Sequence, residues 1–466
     1  MKVRRETACF ASAGGWIRDG HCHERHGVRA MKRLAVVAVV MVPGMVLMGA
    51  GCVYGETFSL YQIYQYALQQ SEDVKIAKED FHRAELEQRR ARSVLTPQIT
   101  VAGTYSRSPE KTTESGGSEV LLQPHEGYGG EVTVKQSLFA GGRNMANLRL
   151  AGRGVEVAQE NYDAATEAFL LRVANAFYGM LKAQKNREAQ QHNVERLTEL
   201  RRLAEVRFRV GEVGEAVLLR ADAELADAEA TLVAAENELV VQQGELQVLA
   251  GLPDMFDVEE PPLPEAPSET LDALTDIAFH YRDDVTRSRL EERRAQERVS
   301  MARGNLIPNL TLQGTYFHRD QDPRSTFFIK DSWLMEGRLE FPIFDGGLRL
   351  AELAQARSEA MQRQWQTVKL KKDILVDVTK SYHTLHAATR VLGTREKQLG
   401  FAARNYEIVL KQFAYGVATH IDLLDANQAL VEAERDVIAA RYDQHRAILD
   451  LQRSAGVFLS MASQER

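Results

Sequence analysis

"TPQITVAGTY" (Thr96–Tyr105) returns 211 residues later as "IPNLTLQGTY" (Ile307–Tyr316). Each copy has a proline, then an alternating run, then Gly-Thr-Tyr. The echo reaches well beyond ten residues. At the same offset Ala67 meets Ala278, Asp73-Val74 meets Asp284-Val285, and Ala84 meets Ala295. Past the strands the offset falls to 205 and holds: Phe139-x-Gly141-Gly142 meets Phe344-x-Gly346-Gly347, Phe208 and Gly211 meet Phe413 and Gly416, and Gly251 meets Gly456. A repeat this long is a duplicated domain, not a solenoid of short units.

The boundaries follow. Residues 56–251 form the first repeat and 269–457 the second, with 458–466 as a tail. The Pro- and acid-rich linker 252–268 lies within "GLPDMFDVEEPPLPEAPSET". Before the repeats, Met31-Lys32-Arg33 opens an apolar run ending in small residues, so 31–55 reads as a secretory signal. Residues 1–30 precede that signal and read as a non-native upstream leader. Their "HCHERH" (His21–His26) resembles a metal cluster but belongs to that leader. Two cleavage sites stay open: after Gly55, or before Cys52, which would then carry lipid. Gly-Ala-Gly before Cys52 departs from a lipobox, which has Leu three places before the Cys.

Composition sets further bounds. The chain has 466 residues, 7% aromatics and a formal charge of −7. Residues 1–55 carry eight Lys or Arg and three Asp or Glu, so their removal takes the charge to −12. That argues against a nucleic-acid partner. All three cysteines (Cys9, Cys22 and Cys52) lie in that segment, which excludes a disulfide scaffold.

Each repeat predicts the same series. A helix of about 37 residues (58–95 and 269–306) ends before Pro97 and Pro308, since proline cannot continue a helix. An alternating strand follows (98–108 and 309–320), then a polar loop, then a second strand (128–139 and 332–344). A Gly-Gly turn leads to a helix of roughly 65–70 residues ending near Gly211 or Gly416. A last helix returns over 215–250 and 419–455. At 1.5 Å per residue the long helix reaches about 100 Å, so the two shorter helices can stack end to end beside it. Leu170, Val173, Phe177 and Leu181 make an apolar stripe that reads as helix packing.

The strands carry the decisive constraint. Trp333, Met335, Leu339, Phe341 and Ile343 share one side of the last strand; Glu336, Arg338 and Glu340 share the other. Ile99, Val101 and Tyr105 likewise oppose Thr100, Ala102 and Thr104. Such a sheet suits a half-buried soluble layer or a membrane barrel with a wet lumen, and the secretion signal favours the barrel. Yet four strands cannot close. An open edge in lipid leaves backbone groups unpaired at several kcal/mol each. Two chains would give eight strands around a side-chain-filled interior; three give twelve, which leaves room for water.

With its doubled "F-x-x-G…L…A…L" and doubled "A…D-V…A…P-x-L/I-x-V/L-x-G", the chain resembles the TolC-like outer-membrane efflux channels over about 58–457. The resemblance implies a mainly α fold with a small β part. It implies a homotrimer with a 12-stranded barrel among outer-membrane lipids, continued by a long periplasmic α-helical barrel. It implies a passive exit duct without cofactor or chemistry of its own, for efflux or type I secretion. Cargo would come from an inner-membrane pump through a periplasmic adaptor. In "YGVATHIDLLDA", Asp422 and Asp425 match the acidic residues that ring the family's periplasmic mouth; the first repeat has Val217 and Arg220 there. Ala418 stands where an arginine lock is expected, and Phe413 replaces a tyrosine. The hairpin tips Val210-Gly211-Glu212 and Tyr415-Gly416-Val417 match adaptor contacts.

Other readings fit less well. No G-x-S-x-G or H-E-x-x-H occurs, and the Gly-Gly pairs lack the Lys-Ser/Thr of a phosphate loop. His383 and His386, three apart on one helix, read as a solvated or packed pair before a metal site. A soluble periplasmic coiled-coil adaptor or scaffold is the rival. Fractionation separates the two: the duct predicts a heat-modifiable oligomer released from outer membranes only by detergent, whereas a scaffold leaves as a soluble monomer by osmotic shock.

Overall fold

The computed structural model describes residues 56–462, apart from Met255, Glu265, Ser268, Thr326 and Phe327. The leader, the secretory signal, Cys52 and the end of the tail lie outside the described residues. In chain order the elements are β1 (Glu56–Phe58), α1 (Leu60–Gln70), α2 (Glu72–Ser93), β2 (Gln98–Arg107), β3 (Lys111–Ser115), β4 (Ser118–Gln123), β5 (Glu126–Ala140), α3 (Arg143–Arg209) and α4 (Glu215–Ala250). The second half has β6 (Phe256–Val258), α5 (Leu271–Tyr281), α6 (Asp283–Gly304), β7 (Asn309–Asp322), β8 (Asp331–Glu340), α7 (Leu348–Ala414), α8 (His420–Ser454) and α9 (Phe458–Ala462).

The two long helices have 67 residues each. Along α3, the α1–α2 pair and then α4 pack end to end; along α7, α5–α6 and then α8 do the same. The apolar cores follow the repeat. Ile63, Phe169, Val173 and Leu246 are buried in the first half, and their counterparts Leu274, Ile374, Val378 and Leu451 are buried in the second. Each such side chain contributes about 1.5–3 kcal/mol. The stripe Leu170, Val173, Phe177 and Leu181 lies in this core. Among the described residues, no helix is long and apolar enough to cross a membrane.

Three expectations need correction. The first helix of each repeat is two helices of 11 and 22 residues. The break at Ser71 is extended (ψ 121°), and its hydroxyl accepts from the Val74 amide to start α2. The break at Arg282 has ψ 128° and no such cap. There the guanidinium does the joining: it donates to both Asp284 oxygens (3.1 and 2.9 Å), to Asp377 of α7 (2.9 Å) and to the Ser454 carbonyl at the end of α8 (3.0 Å). Beside it, burial and the Asp283 carboxylate push the Glu167 carboxyl up to about 7. Second, the polar loop of the first repeat is itself a hairpin, β3–β4, turned by Gly116 and Gly117 at positive φ. Third, β8 stops at Glu340, so Phe341 and Ile343 lie outside it. Pro342 has no N–H to extend the ladder.

β2, β5, β7 and β8 form one antiparallel sheet in that order. Val101, Val132, Tyr316 and Trp333 face one another across it, and all four are exposed. The opposite face carries the row Gln98, Lys135, Gln313 and Glu336, and a hydroxyl pair, Thr133–Thr315, at 3.2 Å. Ala102, Phe317 and Leu334 are apolar side chains on that face. At one end Tyr105 and Tyr128 donate to Glu126, and Tyr316 donates to Asp331, an arrangement suited to a membrane–water boundary. β1 pairs in parallel with β6, tying the first described strand to the linker.

The sheet joins the helices through glycine and arginine. Gly141 has φ 61°, and a Cβ there would lie 2.3 Å from the Gly304 carbonyl, so only glycine fits. Arg143 then clamps Asn305 (2.8 Å) and Asn309 (2.5 Å), and Arg349 binds the Asn305 carbonyl (3.2 Å).

Arg282→Ala removes four hydrogen bonds at the junction of α5, α6, α7 and α8. It is expected to cost about 2 kcal/mol, read as a lower thermal midpoint of the helical signal in detergent. Arg282→Lys should recover little, because an ammonium lacks the planar fork.

Candidate functional site: the helical hairpin tips

α3 and α4 turn through Val210–Gly214; α7 and α8 turn through Tyr415–Thr419. Gly211 (φ 77°) and Gly416 (φ 73°) hold the left-handed conformation that ends each long helix. Val210, Tyr415 and Val417 project at 72%, 84% and 75% exposure, so each tip presents apolar side chains to solvent. Pro97 and Pro308 lie at the other end of the helical part, immediately before β2 and β7.

The sequence groups Asp422 and Asp425 by spacing, and the structure gives them different surroundings. Both are exposed near the start of α8. Asp422 closes a capping box. The Thr419 hydroxyl accepts from the Asp422 amide at 3.2 Å, and the Asp422 carboxylate accepts from the Thr419 amide (2.8 Å) and hydroxyl (2.6 Å). These bonds hold the Asp422 carboxyl below the usual aspartate range. Asp425 is one turn further along the same helix, and the opposite face buries Leu423, Leu424, Ala426 and Asn427. Capping thus accounts for Asp422 and leaves Asp425 without an internal task of that kind.

Residues that spacing did not single out hold the two hairpins together. The Arg207 guanidinium of α3 lies 4.1 Å from the Phe413 ring centroid and donates to the Phe413 carbonyl at 2.8 Å. That carbonyl belongs to the C-terminal turn of α7, where a cation is favoured. Further from the tip, Arg196 donates to Asn427 (3.0 Å) and to both oxygens of Glu434 (3.1 and 3.0 Å), and Asn427 donates to Asn193 (2.9 Å). Leu197, Leu200, Phe413, Leu423 and Leu424 pack between the hairpins. No periodicity within one helix relates position 207 to 413; only the repeat offset, which pairs Phe208 with Phe413, marks this level of the rod.

His383 and His386 are exposed on α7, and Tyr382 stacks edge-on against both rings. Among the described residues, no group of His, Cys, Asp and Glu has the geometry of a metal site.

Thr419→Val breaks the capping box and should cost the first turn of α8 about 1 kcal/mol, seen as faster amide exchange at Leu423 and Leu424. Asp425→Asn should leave that exchange unchanged.

The model for "Outer membrane efflux protein" matches residues 63–252 and 274–457. Outer membrane protein TolC of Vibrio cholerae is 23% identical over 379 residues, covering 78% of this chain and 83% of that protein. Alkaline protease secretion protein AprF of Pseudomonas aeruginosa is 23% identical over 407 residues, covering 84% and 83%. The CmeC outer membrane channel of Campylobacter jejuni superposes with a TM-score of 0.73 at 18% identity, covering 86% of each chain. The chain belongs to the outer membrane efflux protein family, which makes it an outer-membrane channel component with a periplasmic helical part, and not an enzyme.

Proposed function

We propose that three copies assemble into a passive exit duct that takes cargo from an inner-membrane pump through a periplasmic adaptor. The observation that carries this reading is the four-stranded sheet, with its apolar face outward and two unpaired edges, β2 and β8. Three copies supply twelve strands, enough for a wet lumen lined by the Gln98–Lys135–Gln313–Glu336 face. The helices support the same count. Packing runs α4, α3, α8, α7 across the lower half, which leaves α4 and α7 as outer helices. Both carry apolar side chains exposed in the single chain: Val233, Val240 and Val248 on α4, and Val391, Phe401 and Ile408 on the lower part of α7. A neighbouring copy bringing α4 against α7 would bury them.

In such a trimer the second hairpins carry Asp422 and Asp425 around the periplasmic mouth. The rings would differ in kind. One Asp422 oxygen, Oδ2, accepts from both the amide and the hydroxyl of Thr419, whereas Asp425, exposed and outside the capping box, can face permeating ions. Two rings of three carboxylates attract cations. Val217 and Arg220 of the first hairpin add no acid to them. With Ala418 in place of an arginine, closure of the mouth falls to contacts such as Arg207–Phe413. The exposed tips, Val210-Gly211-Glu212 and Tyr415-Gly416-Val417, are the proposed adaptor contacts. Their apolar side chains and stiff left-handed turns suit end-on docking.

The test is single-channel recording in planar bilayers. Asp422→Ala with Asp425→Ala should lower cation selectivity and divalent block, with Asp425→Ala alone giving most of the effect. Unchanged selectivity and block in the double variant would show that these carboxylates do not line the mouth.

A further inference from the structure

His420 opens α8 at the tip of the second hairpin, and its side chain is buried (7% exposed) where the two hairpins meet. Neither ring nitrogen has a hydrogen-bond partner among the described residues. The ring lies 5.9 Å from the Phe413 ring, which also lies under the Arg207 guanidinium. A histidine that gives up water at both nitrogens without replacement is destabilised in that site. A packed apolar side chain would avoid that cost.

We propose that His420 is a proton-operated release for the contact between the hairpins: neutral and buried it holds the periplasmic mouth shut, and protonated it opens it. This rests on the tips being the mouth of the duct. The charges around the ring define the direction. From α3 the group facing it is Arg207, which also lies 3.8 Å from Glu212 of the turn. From α4 it is Arg220, which lies 3.9 Å from Glu224. From α7 it is the uncharged Phe413. On α8 itself Asp422 faces Thr419, and Asp425 lies on the exposed face. A proton on the ring therefore places a third cation beside Arg207 and Arg220, in a site with no acceptor for either N–H. Opening the contact lets water reach both nitrogens.

Burial first, then Arg220 and Arg207, hold the imidazolium below the ordinary histidine range. The sign follows. With the closed-state value lowered, the open state binds the extra proton as pH falls. Closure is then fully favoured above about 6.5, the ordinary histidine value, and weakens as pH drops through that value toward the lowered one. Three copies would sharpen the response. Asp422, held below the usual aspartate range, stays ionised throughout this window, so the carboxylate and imidazole effects separate by pH.

The experiment is bilayer conductance of the purified full-length protein between pH 7.5 and 5.0. Wild type should open several-fold more at pH 5.5 than at 7.5. His420→Phe keeps the ring volume without a proton and should stay closed at both values. Arg220→Gln removes a neighbouring cation from the closed state and brings the closed-state value back toward the open one, so it should open less than wild type at pH 5.5, with its midpoint moved to lower pH; this variant keeps the test valid should His420→Phe not fold. A pH response in His420→Phe equal to wild type, or an Arg220→Gln midpoint that stays put or rises, overturns the proposal. Loss of pH response in His420→Phe, with selectivity still altered by Asp425→Ala, supports it. An unchanged pH response together with altered selectivity defeats this inference alone, and unchanged selectivity in the aspartate variants defeats the mouth reading beneath it.

Discussion

Backbone pairing at the two edges of a small sheet governs the whole molecule. β5 and β7 are satisfied on both sides, but β2 and β8 each offer one row of amides and carbonyls that meets no strand among the described residues. The same strands turn Val101, Tyr316 and Trp333 outward. In water that face invites aggregation; in lipid the edges are intolerable unless another copy pairs with them. The repeat explains why the shortage exists: each unit contributes two strands to this sheet, which gives it four among the described residues.

The helical part extends the constraint away from the membrane. Each long helix emerges from a Gly-Gly turn at positive φ; in the first repeat the Gly304 carbonyl leaves no room for a side chain at Gly141, and arginines then fix the joint. The 67-residue helices carry that orientation some 100 Å to the tips. Midway, Arg282 fastens four helices across a break. At the far end Arg207 and the Arg196–Asn427–Glu434 network bind one hairpin to the other. Hairpin tips joined by a few polar contacts at the end of long helices can part without unfolding the core above them.

Much of this was legible in the sequence, because duplication shows each signal twice. The long helices, the returning helices, the alternating faces of β2 and β8 and the turns at Gly211 and Gly416 follow from period and punctuation. The break at Arg282 was not legible. Besides the local Asp284, it depends on partners 95 and 172 residues away, which sequence spacing does not reveal. The β3–β4 hairpin was read as a polar loop because its Gly116-Gly117 signal sits among charged residues and Ser. At the tip, Asp422 and Asp425 stood out by spacing, but only the structure separates the capping residue from the free one. Arg207 and His420 act across hairpins, where a single chain's periodicity carries no information.

The most direct measurement is amide hydrogen exchange, resolved by residue, along β2 and β8 of the detergent-purified protein. The account predicts that the outward-directed amides of both edge strands are protected as strongly as those of β5 and β7, because a neighbouring copy pairs with them. Fast exchange at those edge amides in a protein whose β5 and β7 are protected would show a sheet content to stay open, and would contradict it.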